Sequence, residues 1–190
     1  MPNPPSCVMN TRELPTPNEG ATPFPARQEL ADIIQRNILS RRSVRTFKPV
    51  ALPEESLERL LKAGNSAPSA GGLQSRKFIP VTHHDDIQFI IEYIFSARVR
   101  QNKELFRNVP CILLMCANIA TATQRYKRGR LYAIQDATLA GQNIMLMAHA
   151  LGIGSCWIGQ IRERKLVQRF NIGSDYKLIG LIALGYQTDV

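Results

Sequence analysis

The chain has 190 residues, of which 44% are hydrophobic and 21% charged, a composition typical of a globular domain and not of a disordered chain. Its net charge of +9, from 24 basic and 15 acidic residues, is compatible with nucleic acid or with an anionic cofactor and cosubstrate. No zinc-finger spacing, RNA-binding aromatic motif or clear helix-turn-helix accompanies the charge. We therefore predict that the protein does not bind nucleic acid.

Neither a membrane segment nor a metal site is predicted. The longest apolar stretch, residues 131–151, is interrupted by polar side chains and is unsuited to crossing a membrane. The N-terminus lacks a charged segment followed by an apolar one, so no signal peptide is predicted. The four cysteines form no C-x-x-C pair, which favours reduced thiols in a cytoplasmic protein; they are Cys7, Cys111, Cys116 and Cys156.

Residues 1–26 contain seven prolines and few large apolar side chains, which predicts an extended or disordered N-terminal arm. The domain proper is predicted to span residues 27–190. Its first helix runs from about Arg27 to Leu39, because apolar residues recur there at helical spacing; they are Leu30, Ile33, Ile34 and Ile38.

The remaining elements follow in chain order. A helix begins after Pro53 and ends at Gly64. Then come a strand at 77–82, a helix at 87–99, a buried strand at 111–117, a long helix at 131–151, a short strand or loop at 154–159, a helix at 162–170 and a strand at 178–184. The long helix is apolar almost all round and should lie at the centre of the fold. Strands and helices do not alternate regularly, which predicts an α+β fold with a largely antiparallel sheet.

Several well-known catalytic and nucleotide-binding motifs are absent. There is no G-x-x-x-x-G-K-[ST] loop, no G-x-S-x-G and no H-E-x-x-H. The glycines at 152 and 154 lack the third glycine of a dinucleotide fingerprint and follow a helix instead of a strand. His83 and His84 are expected to be exposed loop residues, and His149 a packed or capping residue.

A cluster of basic residues ends the first predicted helix. Arg41, Arg42 and Arg45 flank Ser43, and three guanidiniums with a hydroxyl form a favourable anion site. The alternative is a solvated basic helix end that complements the helix dipole.

Two further segments carry candidate pocket walls. Residues 67–74 are rich in small side chains, so the backbone there can approach a ligand closely, although an ordinary loop is the alternative. Residues 151–159 place small residues around the single Trp157, which is either a wall for a planar ligand or a plain core residue.

The order and spacing of these segments resemble the nitroreductase family of flavoproteins. The matching pieces are RRSVRTF from Arg41, APSAGGLQ from Ala67, DA at 136–137, QN at 142–143, LGIGSCWIG from Leu151, and LGY from Leu184. The resemblance implies an α+β three-layer sandwich, with a mostly antiparallel central sheet flanked by helices. It also implies an intertwined homodimer with FMN at the subunit interface.

The resemblance assigns expected roles to individual residues. Arg41 and Ser43 would hold the FMN phosphate with Arg42 nearby, and Arg45 would reach the pyrimidine end of the flavin. The partner subunit would contribute Pro68, Ser69 and Ala70, and Gln74 would meet the ribityl chain or ring edge. One face of the ring would be covered by Trp157, Ile158 and Gly159.

The implied chemistry is a two-step hydride transfer. NADH or NADPH would reduce the flavin at N5, and a small electron-poor acceptor such as a nitroaromatic or quinone would then be reduced. No catalytic side chain is required, because the flavin carries the chemistry. The alternatives are a flavin- or nucleotide-binding protein of the same fold with a different flavin reaction, such as dehydrogenation or dehalogenation, or with a sensing or storage role.

The sequence departs from the family pattern at several places. Gly72 stands where many members have an asparagine, and Ser75-Arg76 where many have Pro-Trp, so Arg76 is a candidate second cation near the ring. The chain has Gln187-Thr188-Asp189-Val190 where many members carry a basic pair that contacts the phosphate. The arginine cluster is therefore expected to make more of the phosphate contacts. The short 117–131 segment predicts an open pocket. It contains basic residues that are candidates for a cosubstrate phosphate or for a solvated face: Arg125, Lys127, Arg128 and Arg130.

Overall fold

Helices and strands alternate irregularly in the computed structural model, which describes residues 27–94 and 105–188. The arm predicted at 1–26 lies outside the described residues. The helices are α1 (Arg27–Ser40), α2 (Glu54–Asn65), α3 (His84–Glu92), α4 (Ile119–Arg125), α5 (Gly129–Ala150) and α6 (Glu163–Arg169). The strands are β1 (Arg76–Val81), β2 (Cys111–Asn118), β3 (Gly154–Ile158) and β4 (Tyr176–Gly185).

The four strands form one antiparallel sheet in the order β1-β2-β4-β3. The α+β class and the antiparallel sheet predicted from the sequence are therefore confirmed. Arg76 at the start of β1 pairs with Ala117 near the end of β2, whereas Ser155 in β3 pairs with Leu184 near the end of β4. Since β2 and β4 are antiparallel, Arg76 and Ser155 lie at opposite edges and opposite ends of the sheet.

The core occupies both faces of the sheet. Alternate residues of β2 point to opposite sides, so that Leu113 packs in a cluster with α2 and α5, and Leu114 in a cluster with α3 and α6. Cys111 and Cys116 lie in different clusters, as their spacing predicts. Burial raises the pKa of each thiol to about 12, so both remain protonated and unreactive.

Helix α5 is the central helix of the described chain, as predicted. Its buried residues are mostly small, which lets the helix lie close to the sheet and to α2. Gly152, with φ of +71°, stops the helix in the left-handed conformation. Within residues 27–94 and 105–188, no helix has both the length and the apolar character needed to cross a membrane.

Two local predictions are wrong. The helix expected at 87–99 begins at His84 and ends at Glu92, because Ile94 pairs with Ile161 as an isolated bridge; residues 95–99 lie outside the described part. The segment after β2, where no helix was predicted, contains α4. Asn118 caps it by accepting a hydrogen bond from the Thr121 N–H at 3.1 Å.

Helix α1 has the predicted amphipathic pattern but buries none of its residues within the described chain. Asn37 ties it to α5 by donating to the Leu146 carbonyl at 3.0 Å. Its large apolar side chains are 40–65% exposed; they are Leu30, Ile33, Ile34, Ile38 and Leu39. A groove of about 860 Å³ runs between α1, α2 and α5. An apolar surface of this extent is typical of a face that another protein covers.

Candidate functional site

A pocket of about 250 Å³ lies between the end of α1 and the start of β3. Small residues, Gly152 and Gly154, leave backbone groups accessible along one wall. Most of its remaining lining is polar or basic: Ser40, Arg41, Arg42, His149, Ser155 and Gln187. A pocket with two guanidiniums, hydroxyls and an imidazole is suited to an anion such as phosphate.

The arginine segment is fixed along the edge of β3. The Val44 N–H donates to the Ser155 carbonyl at 3.0 Å, and Ser43 forms a parallel bridge with Ser155. Val44 is buried against Gly154, where an added Cβ would come within 2.8 Å of its Cγ1. The glycine at 154 is therefore required for the arginine segment to lie this close to the strand.

Arg41 and Arg42 have different surroundings. Arg42 Nη1 donates to the carbonyls of Leu39 at 2.7 Å and Arg41 at 3.0 Å, so that its guanidinium caps the C-terminal end of α1. No hydrogen bond or ion pair to the described residues engages the Arg41 guanidinium. The helix-capping alternative thus describes Arg42, while Arg41 can serve a ligand.

Ser155 supplies a buried polar atom without a partner. The residue is 2% exposed, lines the pocket, and its Oγ has no hydrogen-bond partner among the described residues. An unpaired buried hydroxyl costs about 1–3 kcal/mol, a cost that a ligand accepting or donating a hydrogen bond there would remove.

His149 is part of the pocket and also a link between helices. The Ser40 hydroxyl lies 2.6 Å from the Arg36 carbonyl, to which it donates, and 2.8 Å from His149 Nε2. Because the hydroxyl proton is used on the carbonyl, we assign Nε2 as the donor to Ser40. This contact joins the last turn of α1 to the last turn of α5.

Ser43 and Arg45 do not line this pocket. Ser43 is exposed, and Arg45 Nη1 donates to the Ser43 carbonyl at 3.2 Å. The backbone of Arg45 is held in turn by the Phe106 N–H, which donates to its carbonyl at 2.8 Å. The structure thus groups Arg41 and Arg42 at the pocket and leaves the other two predicted residues beside it.

The second predicted segment lies elsewhere in the subunit. The Ala70 N–H donates to Asp136 Oδ1 at 3.0 Å, near the first half of α5, whereas His149 and the pocket lie near its end. Thirteen residues of helix separate these positions by about 20 Å. The exposed Pro68 and Gln74 and the half-buried Ser69 are on the same remote segment. One subunit does not bring these residues to Arg41.

The backbone of this second segment is tightly determined. Gly71 has φ of +57°, and an added Cβ would lie 2.0 Å from the Tyr126 hydroxyl of the loop after α4. The Gln74 N–H donates to Ser69 Oγ at 2.9 Å. The loop therefore has a fixed shape in the subunit, with Pro68 on its exposed side.

Trp157 packs between two glycines. A Cβ added at Gly141 of α5 or at Gly180 of β4 would come within 2.6 or 2.7 Å of the indole ring. The ring is half-buried in the cluster under α5, and Ile158 points to the opposite face, where it is 6% exposed. Trp157 thus packs against α5 and β4 but stays partly exposed, and Gly159 is exposed, so the role of this segment at a flavin ring stays a prediction.

Sequence reasoning missed four polar residues of the pocket. Ser40 and Ser155 carried weak signals, as a serine beside the arginines and a polar residue within an apolar strand. His149 was expected to pack or cap, and Gln187 was noted only because it is not basic. The described residues contain no cluster of three or more histidine, cysteine or acidic side chains arranged to hold a metal. His83 and His84 are exposed as expected, although His84 begins α3.

Residues 38–186 match the model of the nitroreductase family, and the protein belongs to this family. One relative from Archaeoglobus fulgidus, named as a proposed NADH dehydrogenase/NAD(P)H nitroreductase, is 29% identical over 80% of this chain and 84% of its own length. An FMN reductase (NADPH) of Bacillus subtilis is 25% identical, over 66% of this chain and 53% of that protein.

Solved structures share the fold. An FMN-dependent nitroreductase from Clostridium difficile R20291 superposes with a TM-score of 0.67 and 26% identity, covering 81% of this chain and 87% of its own. A nitroreductase family protein from Clostridium novyi NT superposes with a TM-score of 0.74, at 24% identity and over 82% and 86% of the two chains. These similarities show the fold and the family, with NAD(P)H and FMN among the names of its relatives.

Proposed function

We propose that the protein is an FMN-dependent oxidoreductase that uses NADH or NADPH to reduce a small electron-poor acceptor such as a nitroaromatic or a quinone. Bound FMN would supply the hydride-transfer chemistry. The residues of the protein bind and orient the cofactor and the reactants. The named relatives support both the cofactor and the nicotinamide donor.

The pocket beside β3 is the observation that carries this proposal. Arg41 and Ser155 line a space of about 250 Å³, the Ser155 hydroxyl has no hydrogen-bond partner among the described residues, and the guanidinium of Arg42 has N–H groups beyond the one that caps α1. These groups fit a phosphate, the anionic end of FMN. Ser43 and Arg45 lie next to this pocket on the same fixed segment, so they can extend the contacts toward the ribityl chain and the pyrimidine ring.

A complete site requires a second subunit under this proposal. Residues 68–74 are remote from Arg41 within one subunit, and none of them lines the pocket. The exposed apolar face of α1, which ends at the pocket, provides a surface for a homodimer. In that dimer Pro68, Ser69, Ala70 and Gln74 would approach the flavin of the partner subunit. Helices on both faces of the sheet would give each subunit three layers.

An anaerobic titration tests the proposed activity. Purified protein is expected to bind FMN and show flavin absorption bands, and NADH or NADPH should bleach those bands in the absence of oxygen. Reoxidation by a nitroaromatic or a quinone should restore them. Protein that binds FMN but is not bleached by either nucleotide would be a passive flavin binder, and protein that binds no FMN would overturn the proposal.

Gln187 offers a gain-of-affinity test at the phosphate end. Its backbone is fixed by an antiparallel bridge with Phe47, and its exposed side chain lines the pocket. We expect Gln187→Lys to lower the Kd for FMN about threefold to tenfold, because a charge-assisted hydrogen bond is added at a site that solvent partly screens. Fluorescence titration checks this, with riboflavin as the control.

The gain from Gln187→Lys should shrink as salt is added, since the new interaction is between charges near the surface. Riboflavin lacks the phosphate and should bind both proteins equally. Equal improvement for riboflavin and FMN would show that Gln187 does not face the phosphate.

A further inference from the structure

Two oppositely charged side chains lie behind the loop that residues 66–74 form between α2 and β1, called here the 66–74 loop. Arg76 begins β1 on the face that packs against α2 and α5, and Asp136 lies on α5 with only 4% of its surface exposed. The Arg76 Nε and Nη1 and the Asp136 Oδ2 are shielded from solvent and have no hydrogen-bond partner among the described residues. Two of the three guanidinium nitrogens of Arg76 are thus shielded, while the residue as a whole is half-buried.

Each charge holds one part of the same loop. Arg76 Nη2 donates to the carbonyls of Asn65 at 2.6 Å and Ala67 at 2.9 Å, where α2 ends. Asp136 Oδ1 accepts from the Ala70 N–H at 3.0 Å, where the next turn begins. The two side chains thus fix the backbone on both sides of Pro68.

The two opposite charges attract each other. Burial lowers the pKa of Arg76, and the nearby Asp136 carboxylate opposes that shift. Arginine still stays protonated, so removing the carboxylate would take away a favourable charge interaction with a half-buried cation. Removing Arg76 would leave the carboxylate uncompensated and free two carbonyls at the end of α2.

We propose that Arg76 and Asp136 are positioning residues that hold the 66–74 loop in the shape that presents Pro68, Ser69 and Ala70 to the flavin of the partner subunit. This inference rests on the proposed function. It assigns an indirect role to Arg76, which stands where many members of the family have a tryptophan.

Two measurements on the full chain test this role. The first is hydrogen exchange of the Ala70 amide without flavin, and the second is the Kd for FMN. Arg76→Met should raise the exchange rate of the Ala70 amide and the Kd for FMN about tenfold each, since the Asp136 carboxylate loses a nearby cation and the loop loses two hydrogen bonds. Arg76→Lys keeps the charge without the planar fork and should recover part of both effects.

Asp136→Asn separates charge from hydrogen bonding. The amide oxygen can still accept from the Ala70 N–H, so exchange and Kd should change about threefold, less than in Arg76→Met. The double variant Arg76→Met/Asp136→Asn should weaken FMN binding no more than Arg76→Met alone, because the two side chains act as one unit. Arg169→Met is the matched control: it removes an arginine paired with Asp86 at 2.7 Å on another surface and should leave both measurements unchanged.

The outcomes separate this inference from the proposed function. Wild-type protein that binds no FMN overturns the proposed function and the positioning role with it. If the wild type binds FMN, unchanged exchange in Arg76→Met with a weaker Kd would mean that Arg76 contacts the flavin directly and would overturn the inference. Faster exchange of the Ala70 amide with an unchanged Kd for FMN would show that the pair only stabilises the loop, and would also overturn the inference.

Discussion

Arg41→Ala is expected to raise the Kd for FMN by at least about tenfold, which corresponds to about 1.4 kcal/mol for one charge-assisted hydrogen bond to phosphate. The Arg41 guanidinium lines the pocket and has no competing partner among the described residues. Its loss therefore removes a ligand contact without breaking a contact within the subunit. The flavin content of the purified variant and a fluorescence titration provide the measurement.

Arg42→Ala is the informative comparison. Because Arg42 caps the C-terminal end of α1, its loss should lower the melting temperature and affect FMN less than the loss of Arg41 does. Riboflavin binding should be unaffected by Arg41→Ala, since the contact proposed for Arg41 is with the phosphate, which riboflavin lacks. Unchanged flavin content in Arg41→Ala would count against the assignment of this pocket to the FMN phosphate.

Ile34→Glu/Ile38→Glu is expected to convert the protein to monomers and to weaken FMN binding by about a hundredfold or more. Both side chains are about half exposed and line the groove between α1 and its neighbours. Each would contribute about 1–2 kcal/mol if it became buried between subunits, and a charge in its place adds a desolvation cost. A monomer would also lack residues 68–74 of the partner at each pocket.

Light scattering measures the oligomeric state of this variant, and a titration measures its flavin affinity. Val50→Glu is the control, because Val50 is 50% exposed but does not line the groove. A wild-type protein that is monomeric and still binds FMN tightly would refute the shared site. A dimeric glutamate variant would place the interface on a different surface.

Local pattern predicted most elements because their apolar spacing reports which face is covered. The long helix at 131–151 lies at Gly129–Ala150, and the strand at 178–184 lies within Tyr176–Gly185. The helix after β2 was missed because ATATQR has weak helical character and its cap at Asn118 is a single residue. The helix at 87–99 was extended too far because the apolar pattern continues through Ile94, which pairs with Ile161 instead.

For the candidate site, the sequence indicated the segments but not which of their side chains meet. The packing of Trp157 between Gly141 and Gly180 was not readable from the sequence. The contacts of the Arg76 guanidinium with the Asn65 and Ala67 carbonyls at the end of α2 were likewise not readable from the sequence. Such contacts depend on residues far apart in the chain, to which local periodicity is insensitive.

The sequence by itself determined the family, the α+β class and the position of the arginine cluster, because ordered motifs and hydrophobic spacing are local properties. Only the tertiary structure decided that Arg42 caps α1 while Arg41 makes no such contact, that Ser155 and His149 line the same pocket, and that the 66–74 loop lies about 20 Å away. The physical reason is the sheet order β1-β2-β4-β3, which brings β3 to the arginine segment and places β1, with its preceding loop, at the opposite corner.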